Sequence, residues 1–183
     1  MYYATIKTCD IANGPGVRTS LFVSGCTHHC KNCFNAEAWD FRYGEPFTEA
    51  VQQQILDSCA PDYIAGLSLL GGEPMEPANQ VGLLPLLRAF KARFPEKTVW
   101  CYSGYTLEEL KSENPRCHCE VTEELLSLMD VLVDGEFVQD LYDITLRFRG
   151  SSNQRLIDLR KTEAAGKVVW WEDAPVYSSH EMK

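Results

Sequence analysis

The sequence lacks any run approaching ~18 uninterrupted apolar residues, and its N-terminus, MYYATIKTCDIANGPG, carries one lysine and no apolar stretch of signal-peptide length. A membrane span and an export signal are therefore not expected, and the chain reads as a cytoplasmic protein with no membrane partner. Basic residues are also scarce. Lys plus Arg number 17 against 26 Asp plus Glu, a net charge of −9, so non-specific nucleic-acid binding, which needs a Lys and Arg surplus, is not expected. Eight cysteines in 183 residues are too dilute for an exported disulfide scaffold, which usually exceeds roughly 8% cysteine in a shorter chain. In a reducing cytosol, clustered cysteines point instead to metal binding or redox chemistry. No repeat, low-complexity tract or Gly/Ser- or Pro-rich linker divides the chain. The expectation is one domain over residues 1–183, with 164–183 as a possible tail.

Short apolar runs alternate with helical patterns. Ser20 to Ser24, Gly66 to Leu70, Thr98 to Tyr102 and Asp130 to Val133 read as strands. Thr48 opens a helix with Val51, Ile55 and Cys59 on one face, and Leu83, Leu87, Phe90 and Phe94 form the stripe of a second. Pro85 places the start of that second helix near Leu84, and Phe94-Pro95 ends it. Thr106 with Glu109 forms a capping box for a third, and Thr122 opens a fourth. This alternation implies parallel pairing with right-handed crossovers. A full eightfold barrel takes ~250 residues, so the predicted fold class is α/β, an incomplete, open barrel of roughly five or six mostly parallel strands. Its last strands are placed at Ile144 to Phe148, Arg155 to Leu159 and Val168 to Trp171.

In such folds, ligands collect at the carboxyl ends of the strands. There the chain has Gly25-Cys26, Gly71-Gly72-Glu73-Pro74, Ser103-Gly104-Tyr105 and Asp134-Gly135-Glu136-Phe137. Each alone reads as an ordinary turn, since glycine after a strand permits positive φ. Together, on one rim, they would let a ligand approach the backbone closely, with Glu73 a candidate partner for an ammonium group.

Beside them, Ser24 to Asn35 reads SGCTHHCKNCFN, three cysteines spaced C-x3-C-x2-C. A structural zinc site needs four ligands, so His28, His29 or the distant Cys117-His118-Cys119 would have to complete it. An iron-sulfur cube is the other option: three thiolates on four irons leave one iron for a substrate or cofactor. Three merely neighbouring buried cysteines are the bland third reading. His28 and His29 are expected to face solvent, with at most an outer influence on a cluster's potential. Cys9, Cys59 and Cys101 are expected in the core, while Cys117 and Cys119 form a non-specific C-x-C in a polar loop.

The C-x3-C-x2-C loop followed by GGEP resembles the radical S-adenosylmethionine superfamily. NGPGVR (Asn13 to Arg18), FVSGC (Phe22 to Cys26), CFN (Cys33 to Asn35), PFT (Pro46 to Thr48), VLVDG (Val131 to Gly135) and RGSSNQ (Arg149 to Gln154), with Trp39, narrow the resemblance to the activating proteins of anaerobic (class III) ribonucleotide reductases. It covers about residues 10–155. The resemblance implies that Cys26, Cys30 and Cys33 ligate a [4Fe-4S] cluster whose open iron chelates S-adenosylmethionine. Reductive cleavage would then yield methionine and a 5′-deoxyadenosyl radical, which takes a Cα hydrogen from a glycine of the large reductase subunit. Gly71, Gly72 and Glu73 would contact the methionine end. Asn32, Cys33, Phe34, Ser103 and Gly104 would lie by the cluster and the adenosine.

No catalytic side chain beyond cluster and cofactor is expected, since hydrogen-atom abstraction needs positioning and water exclusion rather than a general base. Arg147, Arg149, Gly150, Ser151, Ser152 and Asn153 are candidates for partner contact, and a flavodoxin- or ferredoxin-like protein is the implied electron donor. Asn32 stands where many superfamily members carry an aromatic, and Cys117, Cys119 and the tail match no motif of the family. Two alternatives remain from the residues alone: a short radical enzyme acting on a small molecule of the deazaguanine type, and a zinc-binding adaptor.

Overall fold

Residues 1–173 are described by a computed structural model. Among the described residues, seven strands form one open sheet in the order β3-β1-β2-β4-β5-β6-β7. They are β1 (Tyr2–Asp10), β2 (Val17–Val23), β3 (Glu45–Pro46), β4 (Ile64–Gly71), β5 (Thr98–Tyr102), β6 (Val131–Asp134) and β7 (Arg155–Asp158). The central β2, β4, β5 and β6 pair in parallel, whereas β1 and β7 run antiparallel to β2 and β6. The parallel strands are buried almost throughout because both their faces are covered, although β2 carries the polar Arg18, Thr19 and Ser20. The helices are α1 (Glu49–Ser58), α2 (Pro77–Arg93), α3 (Leu107–Lys111), α4 (Thr122–Ser127) and α5 (Leu159–Ala165).

Strand side chains alternate between two unlike faces. Leu67, Leu69, Val99, Cys101 and Leu132 join Ile55, Leu83, Leu87, Phe90 and Leu125 in the main core beneath the helices. The opposite face carries Trp100, Val131 and Val133 in a smaller apolar cluster with Tyr102 and Phe148. There Arg18 is fully buried. Its guanidinium donates to Ser68 Oγ (2.7 Å), Thr98 Oγ1 (3.0 Å) and the carbonyls of Leu67 (2.9 Å), Thr98 (2.8 Å) and Pro15 (3.4 Å). Burial pushes its pKa down to about 10, which still leaves the cation protonated at neutral pH. Arg18 of NGPGVR thus cross-links three strands from the inner face.

Several expectations are met. β5 spans Thr98–Tyr102 as read, Thr48 caps α1 by accepting from Val51 N, and the Thr106/Glu109 capping box is formed. Others are corrected. The second helix starts at Pro77, not near Leu84, because Pro77 occupies the first turn, where no donor is needed. Pro85 is accommodated inside it: the carbonyl it leaves without a donor belongs to Val81, which is 51% exposed and so within reach of water. Ile144 to Phe148 is not a strand. Asp143 caps Thr145 through both N and Oγ1, and Phe148 takes a left-handed φ of 60°, so the alternating apolar pattern lies on a turned loop. Val168 to Trp171 gives only an isolated Ile157–Trp170 bridge beside β7. β1 was not anticipated, since its residues are half-exposed and its pairing with β2 is interrupted by register shifts. Cys59 and Cys101 are buried as expected, but Cys9 is exposed on that strand. Most of the expected tail lies outside the described residues.

At the end of β6, the fully buried Asp134 accepts from Arg155 of β7 (2.5 Å) and from Leu107 N of α3 (2.8 Å), while Arg155 also pairs with the exposed Glu108. Replacing Arg155 by Leu leaves a buried carboxylate unpaired and is expected to cost about 3–5 kcal/mol. Glu108→Gln, which removes only the solvent-facing partner, is expected to cost less than about 1 kcal/mol. Chemical denaturation of both variants checks this ordering.

Candidate functional site

The four parallel strands end at one rim, where the loops that follow them enclose a cavity of about 560 Å³. Cys26, Cys30 and Cys33 line it together with Gly71 to Glu73, Ser103, Gly104 and Gly135. All four glycine-bearing loops singled out in the sequence therefore meet at one space. Asn32 and Phe34 also line it, Phe34 being 84% exposed.

The cysteine loop is shaped by its backbone. Gly25 N and Cys26 N donate to the carbonyls of Ala38 and Trp39 (2.8 and 3.2 Å), so a short 3-10 turn at Ala36–Trp39 closes the loop. His29 and Asn32 take left-handed φ values of 54° and 59°, and Cys33 N donates to Cys30 O (3.1 Å). These reversals return Cys30 and Cys33 to the wall that Cys26 enters from β2. Among the described residues, no three His, Cys, Asp or Glu side chains converge as a single ion requires. Three thiols lining one cavity are a donor set that a cube can use, each thiolate binding a different iron.

The expectation that both histidines face solvent fails for His28, whose side chain is only 8% exposed. Its ring lies 4.3 Å from that of Tyr105, and its Nε2 sits 3.2 Å from Glu73 Oε2, off the hydrogen-bond direction. Burial pulls the imidazolium pKa down, but the Glu73 carboxylate outweighs it and the net shift is upward. His29 is exposed and packs edge-on against Trp39 at 4.6 Å.

The GGEP turn is bonded onto the same loop. Gly72 N donates to Val23 O (2.7 Å) and Glu73 N to Gly25 O (2.8 Å), while Asn79 of α2 donates to Ser24 O and Glu73 O. Gly71 holds φ at +114°, and a Cβ on Gly72 would stand 2.5 Å from Gly25 O and 2.8 Å from Ala38 O. Glu73 itself is buried and accepts from Met75 N (2.8 Å) and from Gly104 N (2.7 Å), which ties the loop after β4 to that after β5.

Burial raises the Cys26 thiol to about 12, with Glu73 adding to it and the His28 and His29 amides opposing. Burial and then Glu136 raise Cys30 to about 11. The surroundings of Cys26 and Cys30 favour neutral thiols, so a metal bound by these two must displace their protons.

The RGSSNQ stretch folds back over the loop after β6. Gln154 accepts from Gly150 N and Ser151 N and donates to Gly135 O; Arg149 donates to Gln154 O and lines the cavity with Gly150. Ser151 is buried and accepts from Val138 N, Asn153 donates to Glu136 O, and Ser152 is exposed. Arg147 lies over the Phe148 ring and pairs with Asp173. Cys117 and Cys119 do not reach the cavity; their thiols donate to Glu109 O and Gln80 Oε1 beside α2. Residue-by-residue reading missed the lining positions Ala12 and Tyr102, the Tyr102 hydroxyl being buried without a partner among the described residues. Tyr102 had a signal, its place at a strand's carboxyl end; Phe137, in the loop after β6 that the sequence singled out, does line the cavity.

Comparison with known proteins agrees with this geometry. A family described as a 4Fe-4S single cluster domain matches residues 12–157. The chain is 42% identical over 162 residues to the anaerobic ribonucleoside-triphosphate reductase-activating protein of Escherichia coli K12, covering 87% of this chain and all of that protein. It is 43% identical to that of Pasteurella multocida over 84% of this chain and 95% of the relative, and 40% identical to that of Enterobacteria phage T4 over 85% and 93%. The chain belongs to the family of anaerobic ribonucleoside-triphosphate reductase-activating proteins, built on a single-cluster 4Fe-4S domain.

Because backbone oxygens occupy the space a Gly72 side chain would need, Gly72→Ala is expected to cost roughly 3 kcal/mol and to displace the GGEP turn. Its thermal midpoint relative to wild type is the check.

Proposed function

We infer that this chain acts as its relatives are named, activating an anaerobic ribonucleotide reductase, as an enzyme with a 4Fe-4S cluster. The observation that carries the reading is that three thiols line a 560 Å³ cavity together with a buried carboxylate and glycine turns. That volume lies within the roughly 300–1,000 Å³ of small-molecule sites.

In finer terms, Cys26, Cys30 and Cys33 hold three irons of a [4Fe-4S] cube, and the fourth is left for the amino and carboxylate groups of S-adenosylmethionine. When bound, this pair supplies one-electron cleavage of a sulfonium and a carbon radical able to take a hydrogen atom from a glycine Cα. The chain's part is to bind, orient and exclude water. A carboxylate offers about four lone-pair sites. Backbone N–H groups of Met75 and Gly104 use two on Glu73, and the remainder can take an ammonium. Gly71 and Gly72 let the methionine end approach the backbone, while Asn32, Phe34, Ser103 and Gly104 flank the adenosine end. Apolar Leu70, Trp39 and Phe137 on the lining keep water from the reacting atoms.

The open sheet is read as an incomplete barrel of the radical S-adenosylmethionine type within one domain. Arg149 and Gly150, which line the cavity, are candidates for reductase contact together with Arg147, Ser151, Ser152 and Asn153, and a flavodoxin- or ferredoxin-like donor supplies the electron. The zinc-adaptor alternative is less favoured because, among the described residues, no three His, Cys, Asp or Glu side chains are grouped as a single ion requires.

Anaerobically reconstituted protein is expected to contain iron and acid-labile sulfide and, with dithionite and S-adenosylmethionine, to release methionine and 5′-deoxyadenosine. Cys30→Ala is expected to lose more than about a hundredfold of that cleavage, since even outer-shell changes at metal sites cost roughly 10–100-fold. With the reductase added, wild type should give a glycyl-radical resonance. A Cys30→Ala chain as active as wild type would overturn the assignment; cleavage without the glycyl signal would favour a small-molecule substrate.

A further inference from the structure

Glu76 lies three residues beyond the GGE turn, at the N-terminal boundary of α2, and is only 5% exposed. It does not line the cavity, so it is not placed to touch a cofactor. It also makes no side-chain cap for its own helix. Its Oε1 accepts instead from both donors of Thr27, the backbone N at 2.8 Å and Oγ1 at 2.6 Å. The Tyr105 hydroxyl approaches the same oxygen at 3.4 Å and Thr27 Oγ1 at 3.3 Å. Thr27 directly follows Cys26, inside the C-x3-C spacer.

We propose that Glu76 is a positioning residue that presets the cysteine loop for its cluster, by holding the backbone and side chain of Thr27 on one buried oxygen. Two donors on one acceptor fix Thr27 in orientation as well as place, which one contact could not do. The negative charge is tolerable in this buried position because it sits at the N-terminus of a 17-residue helix, where unpaired N–H groups favour an anion. Of the remaining spacer residues, His28 packs against Tyr105 with its Nε2 3.2 Å from Glu73 Oε2, and His29 packs against Trp39. From Cys30 to Phe34 the loop is largely exposed, with one side-chain bond from Asn32 to Gln139 (3.2 Å). Without the Glu76 anchor, ordering the spacer would fall to cluster binding itself and weaken it. Tyr105 extends the clamp to the loop after β5, so three rim loops share this one carboxylate.

The inference rests on the proposed cluster role, and its readout is cluster retention rather than turnover. In the full chain, anaerobically reconstituted, Glu76→Ala is expected to lose iron to a ferrous chelator at least about tenfold faster than wild type, in keeping with the roughly 10–100-fold cost of removing outer-shell support. Its reduced-cluster resonance should also broaden. Glu76→Gln keeps the Oε1 acceptor and is expected to restore both the retention and the resonance, a rescue that loss of general stability would not give. Should Glu76→Ala fail to fold, judged by its circular dichroism and melting, Thr27→Val removes the Oγ1 donor alone and is expected to shed iron at least about threefold faster. Retention and resonance equal to wild type in the folded Glu76→Ala chain, or in Thr27→Val where that chain is unfolded, overturn the clamp. So does a Gln variant no better than Ala. A wild-type chain that binds no iron and sulfide overturns the cluster role and the clamp with it.

Discussion

The rim depends on the joint between the loop that follows β2 and the turn that follows β4. Gly72 N and Glu73 N donate to Val23 O and Gly25 O, which continues the parallel pairing of the two strands past their ends and into the site. A loop of three thiols would otherwise be a long irregular segment with much conformational entropy to lose. Here its first half inherits the rigidity of the sheet, and the buried Glu73 carboxylate carries that rigidity across to Gly104 after β5. The two glycines follow from this joint: Gly71 must take a positive φ, and at Gly72 the carbonyl oxygens of Gly25 and Ala38 stand where a side chain would go.

The sheet divides its labour by strand alternation. One face meets helices through leucine, isoleucine and phenylalanine and supplies apolar burial, while the other keeps Arg18, Ser68 and Thr98 at one end and the cavity at the other. A buried guanidinium is costly unless its donors are satisfied, and Arg18 satisfies them on strand carbonyls and hydroxyls. NGPGVR therefore has a structural reason for its arginine, and its Asn13 reaches the cavity lining from the same loop.

Much of this was legible in the residues. The parallel strands announced themselves as short apolar runs, and the rule that ligands gather at their carboxyl ends pointed to the rim where the cavity lies. The illegible parts have two causes: local bonds and exposure that periodicity does not carry, and contacts distant in sequence. β1 is a half-exposed edge whose pattern is blurred by register shifts, and Ile144 to Phe148 alternates like a strand but is turned by the local bonds of Asp143. Pro85 looked like a helix start because its cost is usually prohibitive, and only an exposed Val81 makes it tolerable. His28 looked like a solvent-facing loop residue because nothing nearby in sequence reveals that Glu73 and Tyr105 enclose it. Glu76 was one acid among 26 until the fold brought it against Thr27.

The central claim is that the three thiols leave one corner of the cube for the cofactor. Mössbauer spectroscopy of chain reconstituted with iron-57 tests it most directly, recorded before and after addition of S-adenosylmethionine. The account predicts that one iron in four changes its isomer shift, as sulfur-only coordination gives way to added nitrogen and oxygen ligands. Four irons that stay unchanged with the cofactor bound, or a metal content that is zinc, would contradict it.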